Sequence, residues 1–229
     1  ICAGYTSSEA LKKLASLKIP CVQVGTNVAP DSGVHCVTSD LGRAIEQVVR
    51  RLRELGHKHV QLILPDGPGP QGVARKFQNL STIIPGIRPQ VALMETLASN
   101  RESAFAHAQT ILRGSRRPTA FICNPIHAQG LAEGLAQGGL TCPRDYSMVC
   151  FGVPESDDHR LFPSNTQVSF IVLPVEEAGR RAASTLLATL GAEGFERPSK
   201  GHRLNGQPTT YIPFEVVFTE SCGPVRNTA

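Results

Sequence analysis

A chain of 229 residues, 41% hydrophobic and 18% charged, is long enough to bury a core without disulfide or metal staples. Its unbroken apolar runs, such as Phe170 to Leu173, are far too short to span a bilayer. The net charge of +4 is spread thinly, densest at Arg50, Arg51, Arg53 and at Arg116, Arg117, and gives no basic stripe of the kind a stand-alone nucleic-acid binder carries.

In chain order, residues 1–5 read as a strand and 8–17 as a helix, with Leu11, Leu14 and Leu17 near helical spacing and Ile19-Pro20 as its stop. Strands follow at 21–25 and 35–38. Ser39 and Asp40 suit a helix N-cap, and Ile45, Val48, Val49, Leu52 and Leu55 form one apolar stripe closed by Gly56. The rhythm continues with strand 60–64, a Gly/Pro loop, helix 73–80, strand 90–94, helix 101–112, strand 120–123, helix 126–135 and strand 147–151. Residues 167–172 are extended, 176–190 helical and 211–218 a closing strand; 191–208 reads as a solvated loop with Asn205-Gly206 as a turn. Strands separated by helices predict right-handed βαβ units and parallel sheets covered on both faces. In such sheets ligands lie at the carboxyl ends of strands. Extended connections at 33–40 and 162–174 suit a chain that changes lobe twice.

Seven cysteines (2, 21, 36, 123, 142, 150 and 222) are odd in number, and no Cys-x-x-Cys or paired-His spacing predicts a metal site. Cys2, Cys21, Cys123 and Cys150 sit in apolar strand-like runs, where the thiol acts as a small hydrophobe. That usage fits a reducing cytoplasm. The chain opens in mid-strand without an initiator Met, as a fragment of a longer protein would.

Gly67, Gly69 and Gly72 spell Gly-x-Gly-x-x-Gly after a strand, with Glu95 where a ribose-binding acid would sit. Pro68 and Pro70 have no N–H for a pyrophosphate, so the stretch reads instead as a loop at the edge of a cleft. No Gly-x-Ser-x-Gly elbow is present, and the seven histidines are scattered. His57 and His59 read as cations beyond a helix end, and Asp157-Asp158-His159 as an exposed turn. Catalysis, a cofactor and a metal are therefore not expected. Asn124 ends an apolar strand, where its amide can donate to and accept from a ligand or bond its own turn. Arg75 falls near the start of a helix, where a cation opposes the dipole, so either an anionic or hydroxyl partner holds it or it is a solvated surface arginine.

Residues 37–44 (VTSDLGRA), 53–60 (RELGHKHV), 118–124 (PTAFICN) with Ala128 and Gly130, 142–149 (CPRDYSMV), 174–179 and the strand before Glu220-Ser221 together resemble the LacI/GalR family of bacterial transcription regulators. The resemblance implies a periplasmic-binding-protein-like fold of two parallel α/β lobes with an effector cleft. Residues 1–38 plus 167–190 would form an N-terminal lobe lacking its first strand–helix pairs, 41–155 the C-terminal lobe, and 191–229 a loop and closing strand returning across both. It also implies a small-molecule effector (a sugar or related metabolite), a homodimer, and operator DNA bound through a head outside this chain. Arg75 matches the family's ligand-clamping arginine and Asn124 its polar contact; Gln71, Val175 and Gly152 complete the implied effector site. Gly25 and Gly152 stand where many members place aspartates, Pro125 replaces a customary Asp, and Ser99 falls where an aromatic stacks. A bare sugar wants those groups, so ordinary sugar induction is not expected. The alternatives are an extracytoplasmic solute-binding receptor of the same fold and a nucleotide-dependent enzyme using the glycine loop.

Overall fold

A computed structural model describes residues 1–3, 7–25, 32–66, 70–94, 100–152, 160–195, 203–204 and 206–225. In chain order the elements are β1 (Cys2–Ala3), α1 (Ser8–Ser16), β2 (Val22–Val24), β3 (His35–Thr38), α2 (Leu41–Glu54), β4 (His59–Pro65), α3 (Pro70–Gln78), α4 (Leu80–Ile83), β5 (Arg88–Met94) and α5 (Asn100–Arg113). They continue with β6 (Ala120–Cys123), α6 (Pro125–Gln137), β7 (Ser147–Gly152), β8 (Arg160–Leu161), β9 (Thr166–Gln167), β10 (Ser169–Val172), α7 (Val175–Thr189), β11 (Arg203–Leu204), β12 (Gln207–Tyr211) and β13 (Glu215–Val217). The chain divides into two compact units, Ile1–Leu41 with Pro174–Phe214 and Gly42–Leu173 with Glu215–Ala229.

The first unit holds a sheet of order β1-β2-β3-β12-β11, parallel from β1 through β12 and closed by the antiparallel β11. Helix α1 starts at Ser7, whose Oγ accepts from the Ala10 amide at 3.1 Å, the expected cap for a Ser before a helical run. Its Leu11 is wholly buried with Val34, and Leu14, Cys2 and Cys21 pack on that pair. Across the sheet, Ala178, Ala182 and Leu186 of α7 cover Val22, Val37 and Ile212.

In the second unit the sheet runs β13-β10-β7-β6-β4-β5, parallel except at the β13 edge. β6 reads Ala-Phe-Ile-Cys with all four residues buried, as a strand covered on both faces must. Leu41, Ala44, Ile45, Val48, Val49 and Leu52 of α2 are buried at helical spacing, and each of the Leu, Ile and Val side chains contributes about 1.5–3 kcal/mol of transfer free energy. That helix ends where the Gly56 and His57 amides return to the Arg53 and Leu52 carbonyls. Gly130 and Gly134, one turn apart on α6, let α5 press directly on its backbone. A Cβ on Gly130 would overlap the Arg101 carbonyl oxygen, and one on Gly134 would lie 2.9 Å from that of Phe105. Arg101 pairs with Glu133 across the same contact, and Ala104 and Ala108 complete it.

The parallel α/β class is borne out. The lobe boundaries differ from the expected ones. Residues 167–173 belong to the second unit, because β10 pairs in register with β7 (Phe170 with Cys150). The single closing strand is two: β12 joins β3 of the first sheet and β13 joins β10 of the second, divided around Pro213, which has no amide to donate. The chain therefore passes between units after Leu41, Leu173 and Phe214. The stretch 191–208 contains the β11–β12 hairpin pairing rather than loop alone. Helix α3 starts at Pro70, earlier than expected, since proline suits the first helical position.

Because neither helix can retreat from a backbone contact, Gly130→Val is expected to lower the unfolding free energy of the second unit by about 3 kcal/mol. Gly72→Ala, where an added Cβ meets nothing within 4 Å, should change it by less than about 1 kcal/mol, in the stabilising direction. Urea unfolding of the two variants beside the parent checks both values.

Candidate functional site

Parallel strands place every loop that follows a strand at one end of their sheet, and the polar residues gathered there are the candidates for ligand contact. In the second unit Asn124 follows β6 directly. Its Oδ1 accepts from the His127 amide at 2.8 Å, so the side chain caps α6 while Pro125 takes the first helical position. Of the two roles offered by the sequence, the bond to its own turn is the one present. Among the described residues nothing bonds Nδ2, and the amide hydrogens are what Asn124 can offer a ligand.

Arg75 is placed differently from the expectation. With α3 starting at Pro70, Arg75 lies in its last turn, exposed, where a cation suits the dipole. The dipole argument for an anionic partner therefore fails, and only the family match supports the clamp. Gln71 is the second residue of the same helix and exposed. Gly152 ends β7 with φ +152°, accepts from the Leu173 amide at 2.9 Å, and would put a Cβ 3.8 Å from Pro125. In the first unit Gly25 follows β2 with φ +136° and donates to the Val37 carbonyl at 3.1 Å. Both glycines hold backbone that side-chain-bearing residues rarely adopt, so the missing aspartates go with a changed strand end. Val175 opens α7 of the first unit and is 54% exposed. Gly67, Gly69, Glu95, Ser99 and Asp157-Asp158-His159 lie outside the described residues.

The strand ends supply groups that the sequence reading missed. Asp66, exposed, follows β4 and donates its amide to the Met94 carbonyl at 2.6 Å. It is the first charged residue after an apolar run, the same signal that singles out Asn124. Tyr211 ends β12 in the first unit, 40% exposed, near enough to Asp40 that the carboxylate, after burial, helps raise its phenol pKa. Only the β12–β3 pairing brings those two residues together, and no local pattern announces it.

At the amino ends of the second sheet the polar groups are closed off. His57 Nε2 donates to the Gly223 carbonyl at 2.9 Å, and Nδ1 lies 3.0 Å from Thr119 Oγ1. Ser147 Oγ, 2.9 Å from the same Nε2, donates to the Gly223 carbonyl and accepts from its amide. A Ser–His contact this short could suggest a nucleophile, but both side chains are buried, Gly223 of the terminal segment bonds each of them, and Thr119 takes the other ring nitrogen. Burial lowers the His57 pKa, so it is a neutral core residue and not the helix-end cation expected; His59 is lowered too, by burial and then by Arg88, Arg116 and Lys58. His127, wholly buried in the first turn of α6, has no partner for either ring nitrogen among the described residues. Among the described residues no group of three His, Cys, Asp or Glu side chains could hold a metal. A cavity of about 510 Å³ lies along the outer face of α2 beside Arg43, Gln47 and Phe218, where the Glu46–Arg50 and Arg51–Glu54 pairs neutralise each other.

The model of the periplasmic binding protein-like domain matches residues 49–222, and the chain belongs to that family. No curated protein matches it. Among solved structures it is similar to a LacI family transcriptional regulator from Bifidobacterium animalis subsp. lactis (19% identity over 95% of this chain and 74% of that one, TM-score 0.75). It is also similar to a LacI family regulator from Enterococcus faecalis with bound ribose (20% identity, 99% and 77% covered, TM-score 0.74). A third, from Arthrobacter sp. in complex with lactose, is 17% identical over 96% and 78%, with TM-score 0.72. Those relatives are regulators rather than enzymes. No helix among the described residues is long and apolar enough to cross a membrane.

His35, His57, His59, His107 and His127 all have lowered pKa values, with burial the largest cause in each. Unfolding frees them to take protons near pH 6.5, so their contribution to stability is complete above that pH and is lost as the pH falls below it. The urea midpoint should hold steady from pH 8 to 7 and drop between pH 6.5 and 5. An unchanged midpoint at pH 5 would refute the sign.

Proposed function

We propose that this chain is the effector-sensing part of a LacI/GalR-type transcriptional regulator, a repressor whose operator affinity depends on a small molecule held between its two units. The observation that carries the reading is the likeness of nearly the whole chain to solved LacI family regulators, two of which hold ribose or lactose. At about 20% identity that likeness speaks to fold, so the ligand class is read from this chain's own strand ends. In the second unit the Asn124 amide, Asp66, Gln71 and the Arg75 guanidinium offer donors and acceptors, and in the first unit Asp40 and the Tyr211 hydroxyl and ring offer an acceptor, a donor and one aromatic face. That set suits a polyhydroxylated or heterocyclic metabolite. Asp66, Asp40 and Tyr211 supply groups of the kind missing at Gly25, Gly152 and Pro125, which returns a sugar-like effector to consideration.

The mechanism we infer is a population shift. A ligand that touches both units favours the arrangement in which it makes more contacts, and it moves the balance only by its difference in affinity for the two arrangements. In a homodimer that shift would change the spacing of two DNA-binding heads supplied outside this chain. Cytoplasmic location is part of the same reading.

Calorimetric titration of the full-length protein with ribose, lactose and a panel of sugars and purines tests it. Serine caps a helix as well as asparagine but cannot reach as far, so Asn124→Ser should keep the melting temperature and weaken ligand binding at least about tenfold. Arg75→Ala should weaken it similarly if that side chain clamps the ligand. A ligand that binds both variants as tightly as the parent would remove these residues from the site. A ligand that binds without altering operator affinity would remove the regulatory reading.

A further inference from the structure

All seven cysteines are free thiols. Cys36, Cys123, Cys142 and Cys150 are buried, and Cys123 and Cys150 are register partners in the middle of the second unit's core, closed to any reagent. Cys2 and Cys21 are different. Both are only half-buried, and their Sγ atoms lie 3.4 Å apart. Cys2 stands in β1 and Cys21 immediately precedes β2, so together they bracket helix α1. In the β1–β2 pairing Cys2 is opposite Gln23; Cys21, two residues earlier, presents its side chain on the same face of the sheet as Cys2. Both pack against the Leu11 and Val34 cluster beneath α1, which holds the two sulfurs toward each other.

We propose that Cys2 and Cys21 form a reversible thiol–disulfide pair that closes the β1–α1–β2 unit into a covalent ring on exchange with a small-molecule disulfide. The thiolate of one cysteine attacks a sulfur of the oxidant R–S–S–R, making a mixed disulfide and expelling one thiolate RS⁻. The thiolate of the second cysteine attacks the protein sulfur of that mixed disulfide, forming the Cys2–Cys21 bond and expelling the second RS⁻. The protein loses two protons and two electrons, and the oxidant leaves as two thiols RSH. The contact distance removes most of the search for the second step, so the mixed disulfide should be short-lived. Burial, followed by the bond to Cys2, pushes the Cys21 thiol up to about 11. The Cys21 thiolate is therefore scarce at neutral pH, which slows any step in which Cys21 is the attacker.

The test uses the full-length protein incubated with millimolar glutathione disulfide, alkylated, digested and mapped by mass spectrometry. Cleavage after Lys18 and at Asp31 separates the peptides that carry Cys2, Cys21 and Cys36, so the linkage is read without a variant. The expected result is a peptide pair joined through Cys2 and Cys21, short of two hydrogens, released by dithiothreitol and absent from Cys2→Ser. The rate should rise about tenfold from pH 7 to pH 8. A lasting glutathione adduct on either cysteine, a linkage to Cys222 instead, or two unreacted thiols after prolonged incubation at pH 8 would overturn the proposal.

Discussion

In both sheets the strands that end in candidate ligand groups run parallel: β2, β3 and β12 in one unit, β4, β6, β7 and β10 in the other. Parallel neighbours cannot be joined by a tight turn; the chain must cross back, usually through a helix, before the next strand starts at the same end. Every carboxyl end is thereby delivered to one rim of its sheet. Asn124, Asp66 and Gly152 share a rim for that reason, as do Gly25, Asp40 and Tyr211. The helices that make the returns must fit close to the strands and to each other, and the bare backbone at Gly130 and Gly134 is what lets α5 and α6 do so.

The opposite rim of the second sheet is sealed. Ser221 is wedged between the starts of β7 and β10, its Oγ donating to the Met148 carbonyl at 2.6 Å and accepting from the Ser169 amide at 2.7 Å. Its backbone continues the pattern, accepting from the Met148 amide and donating to the Gln167 carbonyl. Gly223 then engages His57 and Ser147. A buried polar group that loses its partner costs more than an exposed one, so this fully bonded seam holds the terminal segment in one place. One rim is therefore committed to structure and the other keeps polar side chains exposed. That asymmetry is why the candidate contacts are sought at the carboxyl ends and why the Ser147–His57 contact belongs to the scaffold.

Asn124 shows how narrow the line between the two roles can be. Its oxygen stabilises the helix that follows, while its amide hydrogens have no partner among the described residues. The cysteines divide along a similar line: depth of burial separates the thiols at 36, 123, 142 and 150 from the half-exposed pair beside α1, although Cys2, Cys21, Cys123, Cys142 and Cys150 all pack in apolar clusters.

The order of strands and helices was legible from the residues, since apolar runs of strand length, the α2 stripe and the Gly56 that closes it carry local signals that need no partner. Asn124 was legible for the same reason, as a polar residue closing an apolar run. Strand pairing was not. Which sheet 169–172 joins, where β12 parts from β13, and whether Tyr211 comes near Asp40 depend on hydrogen bonds between residues distant in the chain. The start of α3 moved Arg75 from one pole of a helix dipole to the other, and burial made His57 neutral. Sequence set which segments could become strands and helices; tertiary contacts alone decided their neighbours, because pairing energy and desolvation are properties of surroundings that no short stretch of chain contains.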